Sequence, residues 1–342
     1  MGGVKVALAT RTSVIGSGSF GTALSNILAI NSEQVHLWGR DEKLVAAINE
    51  RHENPTYLPD ISLAPTIWAT TSLEEALDDS ELVVAATPSH AMREVIGRAV
   101  EFLPRHVPII TVSKGIENGT LLTMTEVLED CLPEDLHPYI GVLSGPSFAK
   151  ETALRMPTVV TIASRWDKLA TRAQTIFHTD TFRTYTSSDV KGVQLGGSLK
   201  NVIAIAAGIA DGLGFGHNAR SAIITRGLAE ISRIATRHGA NPLTLAGLSG
   251  LGDLVLTCTG DLSRNRSLGI GLGKGRTLDE ILSGMKQVAE GVKTARSARD
   301  MSLRDGVELP ICDQVFSILY EGKSAKKAVV ELMSRQPKSE LL

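Results

Sequence analysis

The sequence predicts an α/β protein with a doubly wound sheet in its N-terminal part and an all-helical C-terminal part. Three observations support this prediction. Short apolar runs of the buried-strand type alternate with helical patterns up to about residue 190. A glycine-rich turn follows the first of these strands. From Leu199 onward no convincing strand run remains, and the apolar patterns have the helical period.

The N-terminal part alternates strands with helices. The predicted strands cover residues 13–15, 35–38, 81–86, 107–113, 139–144 and 158–162. The predicted helices cover residues 22–30, 42–50, 73–77, 92–102 and 122–131. Continuous apolar strands need cover on both faces, so this order indicates a parallel sheet between two helical layers. Residues 4–8 also have strand character, which leaves open which run is the first strand.

The C-terminal part is predicted to be helical throughout. Its predicted helices cover residues 202–210, 219–237, 278–285, 295–303, 314–320 and 325–334. The change of character predicts two domains, residues 1–190 and residues 191–342. A chain of 342 residues agrees with this division, at roughly 150 residues per domain.

The composition excludes several classes of protein. Lys and Arg number 35 and Asp and Glu number 37, so the net charge of −2 lacks the basic excess of general nucleic-acid binding. No run approaches the roughly 20 uncharged apolar residues of a membrane span, and the N-terminus has no signal-peptide pattern. Cys131, Cys258 and Cys312 are too few and too scattered for a disulfide framework or a zinc cluster. They fit a reducing compartment, so we expect a cytoplasmic protein without a membrane span.

Gly16, Gly18 and Gly21 form a G-x-G-x-x-G pattern between a strand and a helix. In that context the first glycine makes the tight turn, and the second lets a pyrophosphate approach the backbone. The third lets helix and strand pack closely, while the helix N-terminus faces the phosphates. The pattern predicts a Rossmann-like dinucleotide-binding domain over residues 1–190, followed by a helical substrate and catalytic domain. An ordinary glycine-rich turn is the alternative.

The choice between NAD and NADP depends on the end of the second strand. An acidic residue that binds the ribose 2′-hydroxyl is expected about 20 residues after the glycines. Here the strand is followed by Gly39, Arg40 and Asp41. Arg40 can pair with a 2′-phosphate, so we expect NADP to be preferred, with NAD as the other possible cofactor. In the alternative, Arg40 is solvated and Asp41 selects the cofactor.

Further segments place polar chemistry near the same edge of the sheet. Lys114 follows the strand at 107–113, and the hydroxyl-rich segment 144–149 follows the next strand. In the helical part Lys200 lies in an otherwise apolar run, where burial would lower its pKa toward a value useful for proton transfer. Asp253 follows a glycine pair, and the loop at 263–266 carries arginines suited to phosphate.

Together these segments resemble the NAD(P)-dependent glycerol-3-phosphate dehydrogenases, in particular the bacterial type. The resemblance extends over nearly the whole chain. The motifs that carry it occur in the order GSGSFGTAL, TPSHAMR, SKGIE, SGPSFA, LKNVIAIAAGIADGLG, LSGLGDLVLTCTG, SRNRSLG and VAEGVKTA. The SGPSFA segment favours the bacterial branch over the animal branch.

The resemblance implies a role for each matching residue. Lys200 is expected to be the general acid and base, with Lys114 and Asp253 as the other catalytic side chains. The expected cofactor contacts are Gly16, Gly18, Ser19, Phe20, Gly21, Arg40, Lys114, Ala149, Arg264, Val288 and Glu290. The expected substrate contacts are Lys114, Gly145, Ser147, Lys200, Asp253, Ser263, Arg264 and Asn265.

The implied activity is reversible hydride transfer between dihydroxyacetone phosphate and sn-glycerol 3-phosphate, without a metal ion, supplying glycerol phosphate for phospholipid synthesis. A homodimer is one open possibility for the assembly. Two other functions stay open. A β-hydroxyacid dehydrogenase of the same architecture would act on a carboxylate and have less need of the loop at 263–265. A dinucleotide-sensing protein without catalysis would have no use for Lys200, Asp253 and Lys114 together.

Overall fold

The computed structural model describes residues 8–285, 289–337 and 339–340. Its strands are β1 (Ala9–Ile15), β2 (Ser32–Trp38), β3 (Glu53–Asn54), β4 (Leu58–Ser62), β5 (Ile67–Thr70), β6 (Val83–Ala85), β7 (Ile109–Thr111), β8 (Ile140–Ser144), β9 (Thr158–Ala163) and β10 (Phe182–Ser187). Eight of them form one sheet in the order β10-β9-β8-β7-β6-β1-β2-β5, and β3 and β4 form a separate hairpin. The first strand of the described chain is therefore residues 9–15; residues 4–7 lie outside the described part.

Helices cover both faces of the large sheet. They are α1 (Ser19–Leu28), α2 (Glu42–Arg51), α3 (Leu73–Leu77), α4 (Met92–Ala99), α5 (Met124–Cys131), α6 (Ala149–Ala153) and α7 (Asp167–Phe177). The apolar sides of α1, α2 and α7 pack on one face, and those of α3, α4 and α5 pack on the other. Neighbouring strand residues point to opposite faces of the sheet. Val14 packs in the layer of α1, α2 and α7, and Ile15 packs in the layer of α3, α4 and α5. The doubly wound α/β prediction is confirmed.

One pair of strands departs from the predicted parallel order. Strand β9 runs antiparallel to β8, with Val142 opposite Ala163, while the other neighbours in the large sheet are parallel. A parallel neighbour requires the chain to cross back to the opposite edge of the sheet, usually through a helix that spans it. The segment after β8 contains only α6, a helix of five residues. Strand β9 therefore starts at the edge where β8 ends.

The strands that the sequence prediction missed lie at the periphery. The β3–β4 hairpin has two prolines and two charged residues, and β10 has only two buried positions in six residues. Strand β5 is the other edge of the sheet. Edge strands expose one side to solvent, so they do not show the continuous apolar run of a central strand.

The rest of the described chain is helical. Its helices are α8 (Val190–Gly212), α9 (His217–Arg237), α10 (Pro242–Leu245), α11 (Asp253–Thr259), α12 (Arg264–Gly273), α13 (Leu278–Ser283), α14 (Glu290–Asp305), α15 (Pro310–Tyr320) and α16 (Ala325–Met333), with a π-helical turn at Leu248–Gly252. Helix α8 is the centre of this second core, where its apolar residues pack against α9, α11, α12, α14 and α15. The domain limits at residue 190 stay a prediction.

Two helical stretches of the described chain are long and apolar enough to cross a membrane, judged by length and composition alone. One is α8, whose most apolar window is 94% buried inside the protein, as expected for a core helix. The other is Pro242–Thr259, where the corresponding window is 39% buried.

Helices α8 and α12 are in direct backbone contact. A Cβ atom added at Gly208 of α8 would lie 2.1 Å from a carbonyl oxygen of α12, and one added at Gly269 of α12 would lie 2.2 Å from a carbonyl oxygen of α8. Gly212 and Gly273 repeat this contact one turn further along, at 2.4 Å each. No side chain fits at such distances. The two helices are held at a separation that only glycine permits.

Helix α15 is capped by a side chain from another helix. Glu230 of α9 is 3% exposed and accepts hydrogen bonds from the backbone N–H groups of Ile311 and Cys312, at 2.7 and 3.2 Å. Leu309, at the N-cap position of α15, provides no capping side chain. Burial raises the pKa of the Glu230 carboxyl to about 7, although the two N–H donors act in the opposite direction.

This pKa predicts a pH-dependent contribution to stability. Since the pKa of Glu230 is higher in the folded than in the unfolded chain, the folded state binds more protons between about pH 4.5 and 7. The free energy of unfolding should therefore fall as pH rises through that window, by on the order of 2 kcal/mol. Glu230→Gln should remove this component. Denaturant unfolding of both proteins at pH 5 and pH 8 measures it, and the same difference in both would contradict the assignment.

Candidate active site

The three glycines of the first turn have three different environments. Gly16 has a left-handed φ of +126°, and a Cβ there would lie 2.7 Å from the Ala86 carbonyl oxygen at the end of β6. A Cβ at Gly21 would lie 2.0 Å from the Gly16 carbonyl oxygen, so α1 packs directly on the turn. Gly18 instead faces open space, with nothing within 4 Å of the added Cβ. This geometry fits a turn that a dinucleotide pyrophosphate approaches at Gly18.

The first turn of α1 offers backbone N–H groups to such a ligand. Gly18 is the N-cap residue, and no side chain caps the helix. Anions are favoured at an uncapped helix N-terminus by these donors and by the helix dipole. Ser19 donates its hydroxyl to the Tyr57 carbonyl oxygen at 2.6 Å, and Phe20 packs half-buried against the sheet core. A pyrophosphate contact at Ser19 would therefore use its backbone.

The β3–β4 hairpin fixes this turn from behind, which the sequence analysis did not predict. The fully buried Asn54 donates to the Ser17 carbonyl oxygen at 2.9 Å and to the Thr22 hydroxyl at 2.8 Å. The side-chain oxygen Oδ1 of Asn54 accepts a hydrogen bond from the backbone N–H of Tyr57. The signal in the sequence is the Asn-Pro-Thr-Tyr turn, which is recognisable as a turn but not as a partner of the glycines.

The end of β2 lies beside the glycine turn. A Cβ at Gly39 would lie 2.4 Å from the Ser17 hydroxyl, so the backbone at Gly39 contacts the glycine turn. Arg40 is the next residue in the chain. Arg40 is exposed. Asp41 is the N-cap of α2, and its Oδ1 accepts from the backbone N–H groups of Lys43 and Leu44 at 2.9 and 3.3 Å. Asp41 thus has a structural role, which favours Arg40 as the residue at the cofactor ribose.

Two lysines from different parts of the chain meet on the Asp253 carboxylate. Lys200 of α8 donates to Oδ1 of Asp253, and Lys114, which follows β7, donates to Oδ2 at 2.7 Å. Lys114 also donates to the Gly145 carbonyl oxygen at 3.1 Å. Lys200 and Asp253 are 5% and 1% exposed. The structure therefore brings together four of the predicted site residues in one hydrogen-bonded cluster.

The environment of Lys200 suits proton transfer. Burial lowers the pKa of its ammonium to about 7, and the Lys114 charge acts in the same direction. The Asp253 carboxylate opposes both by favouring the charged form. A group with this pKa is present in both protonation states near neutral pH, so it can donate or accept a proton there.

Thr257 is a further member of the cluster that the sequence analysis missed. Its hydroxyl accepts a hydrogen bond from Lys200 at 2.7 Å and donates to the Asp253 carbonyl oxygen at 2.6 Å. Thr257 is four residues after Asp253 on α11, and residues with this spacing lie on the same face of a helix. That spacing was the available signal.

The segment after β8 is shaped around Gly145. Its φ of +149° and a Cβ position 2.9 Å from the Val160 Cα leave no room for a side chain. The Gly145 carbonyl oxygen accepts from Lys114 and from the Ser147 hydroxyl, the latter at 3.0 Å. Ala149 is the first residue of α6 and packs beside α1.

The residues of the predicted phosphate loop, 263–266, differ in their contacts and exposure. Ser263 is the N-cap of α12 and accepts from the Arg266 backbone N–H at 3.2 Å. The Arg266 guanidinium donates to Asp211 at 2.8 Å and to Asp261 at 3.0 Å. Arg264 is exposed at the start of α12. Arg264 is the more exposed of the two arginines and is thus the more accessible to a ligand phosphate.

Asn265 and Glu290 connect this loop with α14 and with the sheet edge. Asn265 donates to the Asn201 side chain and accepts from the Gly291 backbone N–H, both at 3.0 Å. Glu290 accepts from the Ser89 hydroxyl at 2.6 Å. The other predicted cofactor contact in this region, Val288, lies outside the described residues. The roles of all these residues in ligand binding stay predictions.

Comparison with known proteins gives a consistent result. Residues 11–170 match the family model for the N-terminus of NAD-dependent glycerol-3-phosphate dehydrogenase, and residues 189–330 match the model for its C-terminus. The chain is 72% identical to a glycerol-3-phosphate dehydrogenase [NAD(P)+] of Myxococcus xanthus, over 97% of this chain and 99% of that protein. It is 55% identical to the protein of that name from Anaeromyxobacter dehalogenans, over 97% and 100%.

A solved structure with the same fold is the crystal structure of glycerol-3-phosphate dehydrogenase from Coxiella burnetii. The TM-score is 0.91 at 36% sequence identity, and the match covers 96% of this chain and 100% of that one. The sheet and the helical part therefore have the arrangement of that enzyme.

Proposed function

The chain belongs to the family of NAD-dependent glycerol-3-phosphate dehydrogenases, and we propose how its residues carry out that reaction. It is an NAD(P)-dependent oxidoreductase that transfers a hydride reversibly between dihydroxyacetone phosphate and sn-glycerol 3-phosphate. The observation that carries the proposed mechanism is the Asp253 carboxylate bound by Lys200 and Lys114.

Lys200 acts as general acid and general base. The bound nicotinamide supplies the hydride to C2 of the ketone, or takes it from C2 of the alcohol. In reduction, the ammonium of Lys200 stabilises the negative charge that develops on the C2 oxygen and donates the proton. In oxidation, neutral Lys200 accepts the hydroxyl proton. A pKa of about 7 allows both directions near neutral pH.

The partners of Lys200 determine where its remaining proton points. An ammonium has three N–H donors, and Lys200 uses one on Asp253 and one on Thr257. The Thr257 hydroxyl gives its own proton to the Asp253 carbonyl oxygen, so it can only accept from Lys200. The third donor of Lys200 is then directed at the substrate oxygen. Asp253 and Thr257 are thus positioning residues for the acid as well as charge partners.

The substrate phosphate needs cations and small donors. Arg264 is the proposed principal contact, because it lies exposed at the start of α12, whereas Arg266 is only partly exposed. Ser263 and Asn265 flank it, and Gly145 and Ser147 at the end of β8 are the other proposed contacts. Lys114, which donates to Gly145 and Asp253, reinforces polarisation of the carbonyl.

The cofactor is proposed to lie over the glycine turn, along the edge of the sheet. Gly16, Gly18 and Gly21 shape the pyrophosphate site, with the backbone at Ser19 and Phe20 beside it. Beyond them, the proposed cofactor contacts are Arg40 at the adenosine ribose, then Lys114, Ala149 and Arg264, and Val288 and Glu290 from the helical part.

We further propose a cytoplasmic enzyme that supplies glycerol phosphate for phospholipid synthesis and assembles as a homodimer. The three cysteines are free thiols, which suits a reducing compartment. Exposed apolar side chains on and beside α11, namely Leu251, Val255 and Leu262, offer a surface that a second copy would cover. Light scattering would then give twice the chain mass of 36.4 kDa.

The substrate assignment is tested by following NADPH oxidation with dihydroxyacetone phosphate and, in parallel, with small 2-keto acids. Turnover of the ketone phosphate alone supports the proposal. Turnover of a carboxylate substrate alone would identify a β-hydroxyacid dehydrogenase. Cofactor binding without turnover of any 2-keto or 2-hydroxy phosphate would identify a non-catalytic sensor.

The proposed exchange of roles at Lys200 predicts opposite pH profiles for the two directions. The kcat/KM for glycerol 3-phosphate oxidation should rise with pH through about 7, because it needs the neutral amine. The kcat/KM for ketone reduction should fall through the same range, because it needs the ammonium. Substrate phosphate ionisation affects both directions alike and cannot produce opposite slopes. Slopes of the same sign would contradict the mechanism.

Removal of the acid is expected to slow the chemical step. Lys200→Ala should lower kcat by roughly 10²–10⁴, the usual contribution of a general acid, with a modest change in cofactor affinity. Lys191→Ala is the matched control, since Lys191 is on the same helix but pairs with Glu126. Steady-state kinetics of both variants measures the effect. Near-normal activity of Lys200→Ala would remove Lys200 from the mechanism.

Loss of the proposed phosphate contact should act mainly on binding. Arg264→Ala should raise KM for dihydroxyacetone phosphate by roughly tenfold or more, the scale of a charge-assisted hydrogen bond. Arg276→Ala is the matched control and should leave KM unchanged, because Arg276 lies beyond the other end of α12 and donates to the Glu280 carbonyl oxygen. An unchanged KM for Arg264→Ala would place the phosphate site elsewhere.

The position of Arg40 predicts a preference for the phosphorylated cofactor. The kcat/KM for NADPH should exceed that for NADH, and Arg40→Ala should lower the value for NADPH by about tenfold while sparing NADH. Comparison of both cofactors in both proteins is the measurement. A strong preference of the unmodified enzyme for NADH would refute the assignment of Arg40.

A further inference from the structure

A serine of the sheet edge and a carboxylate of the helical part form a hydrogen bond that the mechanism above does not use. The Ser89 hydroxyl donates to Oε2 of Glu290 at 2.6 Å, across 201 residues of chain. Ser89 is 6% exposed and lies in a short 3₁₀ turn, Ser89–Ala91, after β6. The same strand end, at the Ala86 carbonyl oxygen, packs against Gly16. Ser89 is thus close to the dinucleotide turn.

The absence of a side chain at Gly115 makes room for this hydrogen bond. A Cβ at Gly115 would lie 2.5 Å from both the Cβ and the Oγ of Ser89, and 3.8 Å from Oε2 of Glu290. The missing side chain at Gly115 therefore leaves the space that Ser89 occupies. Gly115 directly follows Lys114, and its carbonyl oxygen accepts from the Ser198 hydroxyl of α8 at 3.1 Å. The contact lies where three segments of the site meet.

The other side of Glu290 leads to the substrate loop. Glu290 is the first residue of α14, and the backbone N–H of Gly291 donates to the Asn265 side chain at 3.0 Å. Asn265 donates in turn to Asn201, the neighbour of Lys200. The N-terminus of α14 therefore spans the distance between the cofactor edge and the proposed phosphate loop. Its position depends on a contact at each side.

We propose that Ser89 is a positioning residue that holds the Glu290 carboxylate at the cofactor groove. The proposal rests on the cofactor role proposed above for Glu290. A carboxylate accepts hydrogen bonds only, so it suits the hydroxyl and carboxamide N–H donors of a dinucleotide and disfavours its phosphates. The hydrogen bond to Oε2 fixes the orientation of the carboxylate, and Oε1 of Glu290 is left to accept from such a donor. The serine thus orients Glu290 toward the cofactor.

The test compares NADPH dissociation constants, measured by cofactor fluorescence, in Ser89→Ala, Glu290→Gln and the double variant. We expect Ser89→Ala to raise Kd roughly tenfold, the scale of a hydrogen bond to a charged group. The double variant should be little worse than Glu290→Gln, because Ser89 acts through Glu290. Ser89→Thr, which keeps the hydroxyl, should bind more tightly than Ser89→Ala.

A matched control separates positioning from simple docking of α14. Ser297, two turns further along α14, also hydrogen-bonds to the sheet part, where its hydroxyl contacts the Ile116 carbonyl oxygen and the Asn118 side chain. Ser297→Ala should change Kd for NADPH by less than about twofold, since it leaves the Ser89–Glu290 contact intact. An equal effect of Ser89→Ala and Ser297→Ala would overturn the proposal, as would independent effects of Ser89→Ala and Glu290→Gln.

Tighter binding by Ser89→Ala would also overturn the proposal, since it would mean that Ser89 competes with the cofactor. Dissociation constants do not depend on turnover. Failure of the enzyme to reduce dihydroxyacetone phosphate would therefore refute the proposed function without deciding the role of Ser89.

Discussion

The architecture depends on one buried carboxylate with two ammonium partners. Asp253 accepts from Lys114, at the end of a sheet strand, and from Lys200, on the central helix of the second core. These three side chains meet only if the carboxyl edge of the sheet faces α8 and α11 closely. The hydrogen bonds of Ser198 to Gly115 and of Ser297 to Ile116 hold the same surfaces together. The proposed reactive cluster therefore also connects the sheet with the helical part of the fold.

Such a cluster is a costly structural element. Removing an ammonium from water is unfavourable, and the low pKa of Lys200 expresses that cost directly. The cost is kept down because Lys200 has Thr257 as well as Asp253, and Lys114 has a backbone carbonyl as well as Asp253. With these partners, Lys200 has a pKa of about 7, so it loses its charge near neutral pH. A lysine with this pKa would be a poor choice for a purely structural ion pair, and it fits the proton transfer proposed for Lys200.

The parts of the site that local patterns encode are recognisable from the amino-acid sequence alone. They are the glycine turn, Lys114 after a strand and Lys200 in an apolar helix. Relations between distant segments are not recognisable in this way. The turn at Asn54 and the spacing of Thr257 from Asp253 are visible in the sequence, but their importance comes from partners placed by tertiary packing. The antiparallel β9 escapes prediction for a similar reason, because strand direction depends on the path of the preceding segment rather than on the apolar run itself.

The backbone contact between α8 and α12 has a consequence for substrate choice. Lys200 is on one of these helices and Arg264 begins the other, and four glycines allow the pair to approach to backbone contact. The spacing of the backbones that carry the proposed proton donor and the proposed phosphate contact is thereby set by main-chain atoms. On that proposal, selection by substrate length depends on the helix pair as well as on the pocket side chains. Substitution of side chains in the pocket would change the affinity for substrate. Accommodation of a longer phosphorylated ketone would also require a change in the spacing of α8 and α12.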